Sequence, residues 1–369
     1  MATATSNDLQ EQTPLPIPGT MRAAVYRGVN DVRVETVPVP EIGPGEALIR
    51  VHSCGVCGTD LKKIHTGSHS APRIFGHEIS GVVAALGEGV QGFAVDDRVM
   101  VFHHAPCGHC YYCRKKTPSQ CSDYKRVGVT AGFEPSGGGF AEYVRVMPRI
   151  VQRALIRIPD GVPFEQAAFV EPVNTCYKGI RNLALEPDET VLVIGQGPIG
   201  VILAALAART GAKVLTSDLY PGRHAIAAAY GLDHPIDAGK EDVVAAAHRE
   251  SEGRGADAVI LAVGGNALIR TAMDAARPGG RVLLFAATQH GEATFDPAVV
   301  CMDEKTLMGS YSSSFELQPD VEDIVFGGYG NGFDLTRLIS HRFSLQDAVE
   351  AIRVASNPSP TSMKVFIQP

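Results

Sequence analysis

From Thr190 onward the chain alternates apolar strands with helices, and no other feature limits its fold so strongly. TVLVIG, AKVLTSD, HPIDA, ADAVILAVG and GRVLLFAA read as strands; PIGVILAALAART, PGRHAIAAAYG, DVVAAAHRE and NALIRTAMDAAR read as helices between them. Parallel strands need crossover connections, so this alternation predicts a doubly wound parallel sheet. Its strands are apolar throughout, as both-faced burial requires. Upstream the pattern differs. MRAAVY, VRVETVPV, EALIRVHSC, EISGVVAALG and DRVMVF are β-branched runs divided by Gly, Pro and Asp, which predicts a compact β-rich domain. After about residue 311 the period breaks. DLTRLISHRFSLQDAVEAIRVAS reads as one or two helices and MKVFIQP as a last strand. This tail is too short for its own core and is expected to return to the first domain, making that domain discontinuous.

A chain of 369 residues can build two or three cores. Its net charge of -7 provides no basic surface for nucleic acid. No apolar run reaches membrane-spanning length, so no span is expected. The opening MATATSNDLQEQTPLPIPGT has no apolar signal core and reads as a flexible arm over residues 1–20. A cytoplasmic protein with reduced cysteines is the expectation.

Half of the eight cysteines sit in PCGHCYYCRKKTPSQC, as Cys107, Cys110, Cys113 and Cys121. Four thiolates on one short loop can close around zinc as a tetrahedron, the shell of a structural site. Such a loop has little core of its own, so the metal supplies much of its folding energy. Two disulfides are the alternative, and a reducing compartment argues against them.

The turn after TVLVIG reads Gly195-Gln196-Gly197-Pro198-Ile199-Gly200. It follows a strand and opens a helix, the setting that makes a GxGxxG motif a dinucleotide site. Gly195 permits the tight turn, Gly197 lets a pyrophosphate approach, and Gly200 lets helix and strand pack closely. Pro198 suits the first helical turn. Asp218 ends the next strand, where an acid accepts bonds from ribose hydroxyls and repels a 2′-phosphate, favouring NAD. Arg223 lies nearby and weakens that preference; it can stack on adenine or pair with Asp218.

Three further segments carry metal-binding side chains. VHSCGVCGTDL holds Cys54, Cys57, Thr59 and Asp60; FGHEISG holds His77 and Glu78; FVEPVNTCYKG holds Glu171 and Thr175. One sulfur, one imidazole and one carboxylate make a mixed zinc shell with room for a water or substrate.

CGVCGTD, GHEISG, PCGHCYYC, GGGFAEY, VEP and GQGPIG, in this order, make the chain resemble the zinc-dependent medium-chain dehydrogenases. The likeness runs from Met21 to the C-terminus and is greatest to the sorbitol (iditol) dehydrogenase branch. It implies an α/β fold: a discontinuous GroES-like catalytic domain (21–175 and 312–369) and a Rossmann cofactor domain (176–311). It implies two zinc ions per chain, NAD, a small alcohol or ketone substrate, and a homodimer or homotetramer.

Residue by residue, Cys57 and His77 match the family's catalytic zinc ligands. Glu78 and Glu171 match two carboxylates that share the remaining duty: in sorbitol-type enzymes the one after the histidine can ligate zinc while the later one holds the zinc-bound water, and elsewhere in the family the later one binds the metal directly. Thr59 matches the hydroxyl that takes the substrate proton, Thr175 a residue beside the nicotinamide, and Lys364 a basic residue near the pyrophosphate. Cys54, Cys176 and Cys301 are expected to be structural. Lys62 stands where many relatives carry a proton-relaying histidine, leaving His65 or water for that step. The activity implied is oxidation of a secondary alcohol, polyol or sugar-derived, to its ketone. Rival readings are a threonine-type or simple alcohol dehydrogenase, and a non-catalytic NAD-binding zinc protein.

Overall fold

The computed structural model describes residues 16–102, 104–124, 137–286 and 290–369. Most of the N-terminal arm and the last residue of GRVLLFAA therefore lie outside the described residues.

The alternating region forms a six-stranded sheet. Its strands are Thr190–Ile194, Lys213–Asp218, His234–Asp237, Ala256–Leu261, Ala276–Leu284 and Thr306–Gly309. All neighbours are parallel, and in chain order the strands run 3-2-1-4-5-6 across the sheet. This is the doubly wound dinucleotide-binding order, with a switch point between the first and fourth strands. The central strand Thr190–Ile194 is buried along its whole length.

The β-rich part centres on Ala47–Gly55. This strand pairs antiparallel with Glu78–Leu86, with Tyr143–Val146 and with the C-terminal strand Lys364–Gln368. Arg98–Val101 and Leu155–Arg157 extend the sheet on one side. A small second sheet joins Thr20–Gly28 to Asp31–Pro38 and Arg73–Ile74. The tail thus returns to the first domain, and the discontinuous GroES-like-plus-Rossmann architecture holds.

One expectation fails within that tail. The segment 334–356 is not helical throughout: Ile339–Ser344 is a strand parallel to Lys364–Gln368, and only Ala348–Ser356 is an α-helix. Exposure alternates along the strand, the period of a half-buried edge. The pairing partner lies 20 or more residues further on, so tertiary contact overrides the local pattern.

The helix Val170–Leu183 joins the two parts. It packs on the dinucleotide helix Pro198–Ala208 and on Gln318–Gly328, and it reaches the strand Glu78–Leu86.

Candidate metal and cofactor site

Strand register builds the first site. Gly55 pairs with Glu78, so the end of one strand lies beside the start of the next. Two residues beyond Gly55, Cys57 caps the helix Gly58–Thr66 with extended backbone. Its Sγ accepts from the Thr59 main-chain N–H at 3.5 Å and from Thr59 Oγ1 at 3.2 Å. His77 stands just before Glu78, and its Nε2 lies 3.4 Å from Thr59 Oγ1. One donor atom each from Cys57, His77 and Glu78 falls within 4.8 Å of the others.

Asp60 completes this arrangement. Its Oδ2 accepts from the Cys57 N–H at 3.3 Å, closing a reciprocal cap, while Oδ1 lies 3.0 Å from His77 Nδ1. The carboxylate has no solvent exposure. It fixes the ring so that Nε2 faces the other donors, the carboxylate–histidine–metal arrangement of zinc sites. Burial opposes charge on the His77 ring, but the Asp60 carboxylate and the Cys57 sulfur raise its pKa well above the usual value. A cation at the donor set would take over that role and release the proton. Asp60→Asn is expected to lower catalytic-zinc affinity roughly 10–100-fold, measured by competition with a chromophoric chelator. Unchanged affinity would remove Asp60 from the site.

Glu171 is not within that donor set. It lies in the first turn of Val170–Leu183, buried, and burial first and Glu78 second push its carboxyl up to about 7, against His77 and Lys364. Thr175 sits one turn on, its hydroxyl donating to the Glu171 carbonyl at 3.2 Å. Cys176 follows in the core, its sulfur 4.0 Å from the Ile199 carbonyl oxygen. The Glu171 helix therefore touches the first turn of the dinucleotide helix.

Lys364, on the last strand, reaches into this donor set. Its Nζ donates to Glu78 Oε1 at 2.5 Å. Glu78 Oε2 lies equally close to that nitrogen yet receives no hydrogen bond of its own. Cys54 is buried beneath Gly76 and Gly139 and is outside the donor set. His65 has both ring nitrogens engaged, with Asn30 Oδ1 at 2.5 Å and Ser356 Oγ at 2.9 Å.

The glycine turn has the form the motif requires. Gly195 has φ +94°, and a Cβ there would come within 2.8 Å of Val263. A Cβ on Gly200 would lie 1.8 Å from the Gly195 carbonyl oxygen, whereas one on Gly197 would meet nothing within 4 Å. Gly197 thus leaves open space over the helix N-terminus, where Pro198, Ile199 and Gly200 form the first turn and main-chain N–H groups suit phosphate. Asp218 Oδ2 accepts from the Gln196 N–H at 2.6 Å and Oδ1 from the Tyr220 N–H at 2.9 Å. Arg223 pairs with Asp218 at 3.3 Å and lies over the Tyr220 ring, 5.0 Å from its centroid.

The four loop cysteines form a second cluster, their sulfurs within 4.8 Å of one another. Cys110 and Cys113 sulfurs are 3.5 Å apart, Cys107 and Cys113 3.9 Å. Zinc–sulfur bonds of about 2.3 Å in a tetrahedron require about 3.8 Å between sulfurs. The His109 main-chain N–H chiefly lowers the Cys107 thiol to about 6, while burial first and the neighbouring sulfurs next push Cys113 up to about 12. Only a cation lets all four ionise together. Both donor sets fit zinc: one closed and all-sulfur, the other open, of mixed sulfur, imidazole and carboxylate donors, with Glu78 buried against the Lys364 ammonium.

Such a fold and such donor sets define a zinc- and nicotinamide-dependent oxidoreductase, and the comparisons agree. Residues 43–160 match the family described as Alcohol dehydrogenase GroES-like domain, and residues 198–326 match Zinc-binding dehydrogenase. The chain is 28% identical to the sorbitol dehydrogenase of Bacillus subtilis, over 96% of this chain and 98% of that protein. It is 32% identical to the L-threonine 3-dehydrogenase of Rhizobium rhizogenes, over 85% and 89%. A zinc-binding dehydrogenase of Sinorhizobium meliloti bound to NADP superposes with TM-score 0.86 at 29% identity, over 95% of this chain and 100% of that one. The chain belongs to the zinc-dependent medium-chain alcohol dehydrogenase family, which includes sorbitol dehydrogenase-like members.

Proposed function

We propose that this chain interconverts a secondary alcohol, polyol or sugar-derived, and its ketone, with NAD as hydride carrier. The observation carrying the reading is the open Cys57–His77–Glu78 donor set at the start of the strand Glu78–Leu86, which reaches the Glu171 helix, which itself touches the dinucleotide helix at Ile199. In this reading residues 21–175 and 312–369 act as the catalytic domain and 176–311 as the cofactor domain. Relatives acting on sorbitol and on threonine support a secondary alcohol as substrate.

When bound, zinc supplies Lewis acidity to the substrate oxygen and the nicotinamide accepts hydride. The chain supplies placement and proton handling. Cys57, His77 and Glu78 would hold the metal, Asp60 orients His77, and Glu171 stands beside them. Thr59 Oγ1, close to both the Cys57 sulfur and His77 Nε2, takes the hydroxyl proton. With both His65 nitrogens engaged, water carries that proton onward. Gly195, Gly197 and Gly200 admit the pyrophosphate. Asp218, already fixed by the Gln196 and Tyr220 N–H groups, turns its remaining lone pairs to the ribose and disfavours a 2′-phosphate. Thr175, one turn beyond Glu171, would stand beside a bound nicotinamide.

A homodimer or homotetramer in the cytoplasm fits the family and the eight free thiols. The test is nicotinamide reduction across polyols, sugar acids, hydroxy-amino acids and simple secondary alcohols, with NAD and NADP in parallel. Reduction of NAD by a polyol is expected. Turnover confined to hydroxy-amino acids would favour the threonine-type activity, to which the 32% identical relative gives support. A chain carrying two zinc ions but inert on the whole panel would end the proposal.

A further inference from the structure

The ion pair between Lys364 and Glu78 engages a carboxylate of the open donor set. One partner lies on the last strand and the other beside the catalytic histidine, 286 positions apart. Their side chains are 7% and 1% exposed. Nζ is 2.5 Å from each carboxylate oxygen, sitting astride the group. Yet Glu78 also belongs to the donor set with Cys57 and His77.

Gly55 makes the pair possible. It lies opposite both Glu78 and Phe366 in the sheet. A Cβ there would fall 1.9 Å from Glu78 Oε2 and 2.9 Å from Lys364 Cε. The middle strand thus opens a slot through which the lysine reaches the carboxylate.

We propose that Lys364 is a positioning residue that competes with the catalytic metal for Glu78: the ammonium is the carboxylate's counter-ion when the metal is away, and it weakens the metal's hold when the metal is present. The inference rests on the donor set argued above. Two charges buried together are stable only as a pair, and removing one partner leaves the other uncompensated. With Lys364 gone, Glu78 loses the one cation paired with it among the described residues, the metal must neutralise it instead, and metal dissociation becomes harder. The lysine therefore keeps the metal-free site folded and the metal exchangeable.

The test follows zinc release from the full-length, zinc-loaded protein into excess chromophoric chelator. The catalytic phase is the one missing in Cys57→Ser, and the four-sulfur phase reports an intact fold. Lys364→Met keeps the side-chain length without the charge. It is expected to slow the catalytic phase about tenfold, with the four-sulfur phase unchanged. Lys364→Arg, which restores the pair, is expected to return to within about twofold of the unaltered protein. In a Glu78→Gln background, Lys364→Met is expected to have no effect on release. Catalytic release that is unchanged or faster in Lys364→Met would overturn the competition. So would a slowing that persists with Glu78→Gln, since that would be a diffuse charge effect. A chain that takes up only the four-sulfur zinc would overturn both this inference and the proposed function, whereas two zinc ions with equal release rates would overturn this inference alone.

Discussion

Cys57→Ser is expected to remove one of two zinc ions and nearly all turnover while the fold persists. The sulfur is the only one in the open donor set, since Cys54 lies buried beneath Gly76 and Gly139. A serine oxygen at this position is not ionised at neutral pH, and zinc needs deprotonated ligands. Losing a Lewis acid that contributes several kcal/mol to the transition state corresponds to a fall of roughly 10³-fold in kcat. Stability should change little. The sulfur's structural bonds are weak acceptor contacts from Thr59, and a serine oxygen caps a helix at least as well. The checks are zinc content, thermal unfolding and turnover on the best substrate. Full activity in a protein verified to hold its normal zinc would defeat the assignment of Cys57.

The sequence made the cofactor sheet readable because its signal is local. Thr190–Ile194 and its partners are short apolar runs separated by helical repeats, and each can be recognised without knowing its neighbours. The glycine turn was readable for the same reason, as three glycines within six residues at a strand–helix junction. The metal site was not readable from spacing. Cys57 and His77 are 20 positions apart and meet only because Gly55 is in register with Glu78. Family likeness supplied what spacing could not, and even so it left the third ligand open between Glu78 and Glu171. Asp60 was visible in CGVCGTD without a role, although its place three residues after a helix cap was the clue. The pairing of Lys364 with Glu78 joins the two ends of the chain and has no local signature. The strand Ile339–Ser344 was misread because Ile339 and Phe343 stand four apart, imitating a helical stripe. Its true period of two is set by pairing with Lys364–Gln368.

Cys110→Ser should affect stability before chemistry. The loop it belongs to has only two short helical turns, Tyr111–Arg114 and Pro118–Gln120, and the first buries no residue. Four sulfurs crowded within a few ångströms cannot all ionise without a cation, so removing one ligand sacrifices closure of the shell. Structural zinc contributes about 10–16 kcal/mol to folding in small zinc-finger peptides. If even a fifth of that is felt by the whole chain, the loss is about 2–3 kcal/mol, or ~3 °C in Tm. The damage has a defined route inward. Lys178, on the helix that carries Glu171 and Thr175, donates to Ser119 Oγ at 3.3 Å and to the Tyr311 carbonyl at 2.8 Å. Ser119 lies between the third and fourth loop cysteines, so loosening the loop releases one end of this tie. The expected order is therefore a lower Tm and one zinc lost, with turnover at low temperature reduced only a few-fold. A Cys110→Ser protein with two zinc ions and unaltered unfolding would reject the structural role. Full loss of turnover at an unchanged Tm would make the loop part of the chemistry instead.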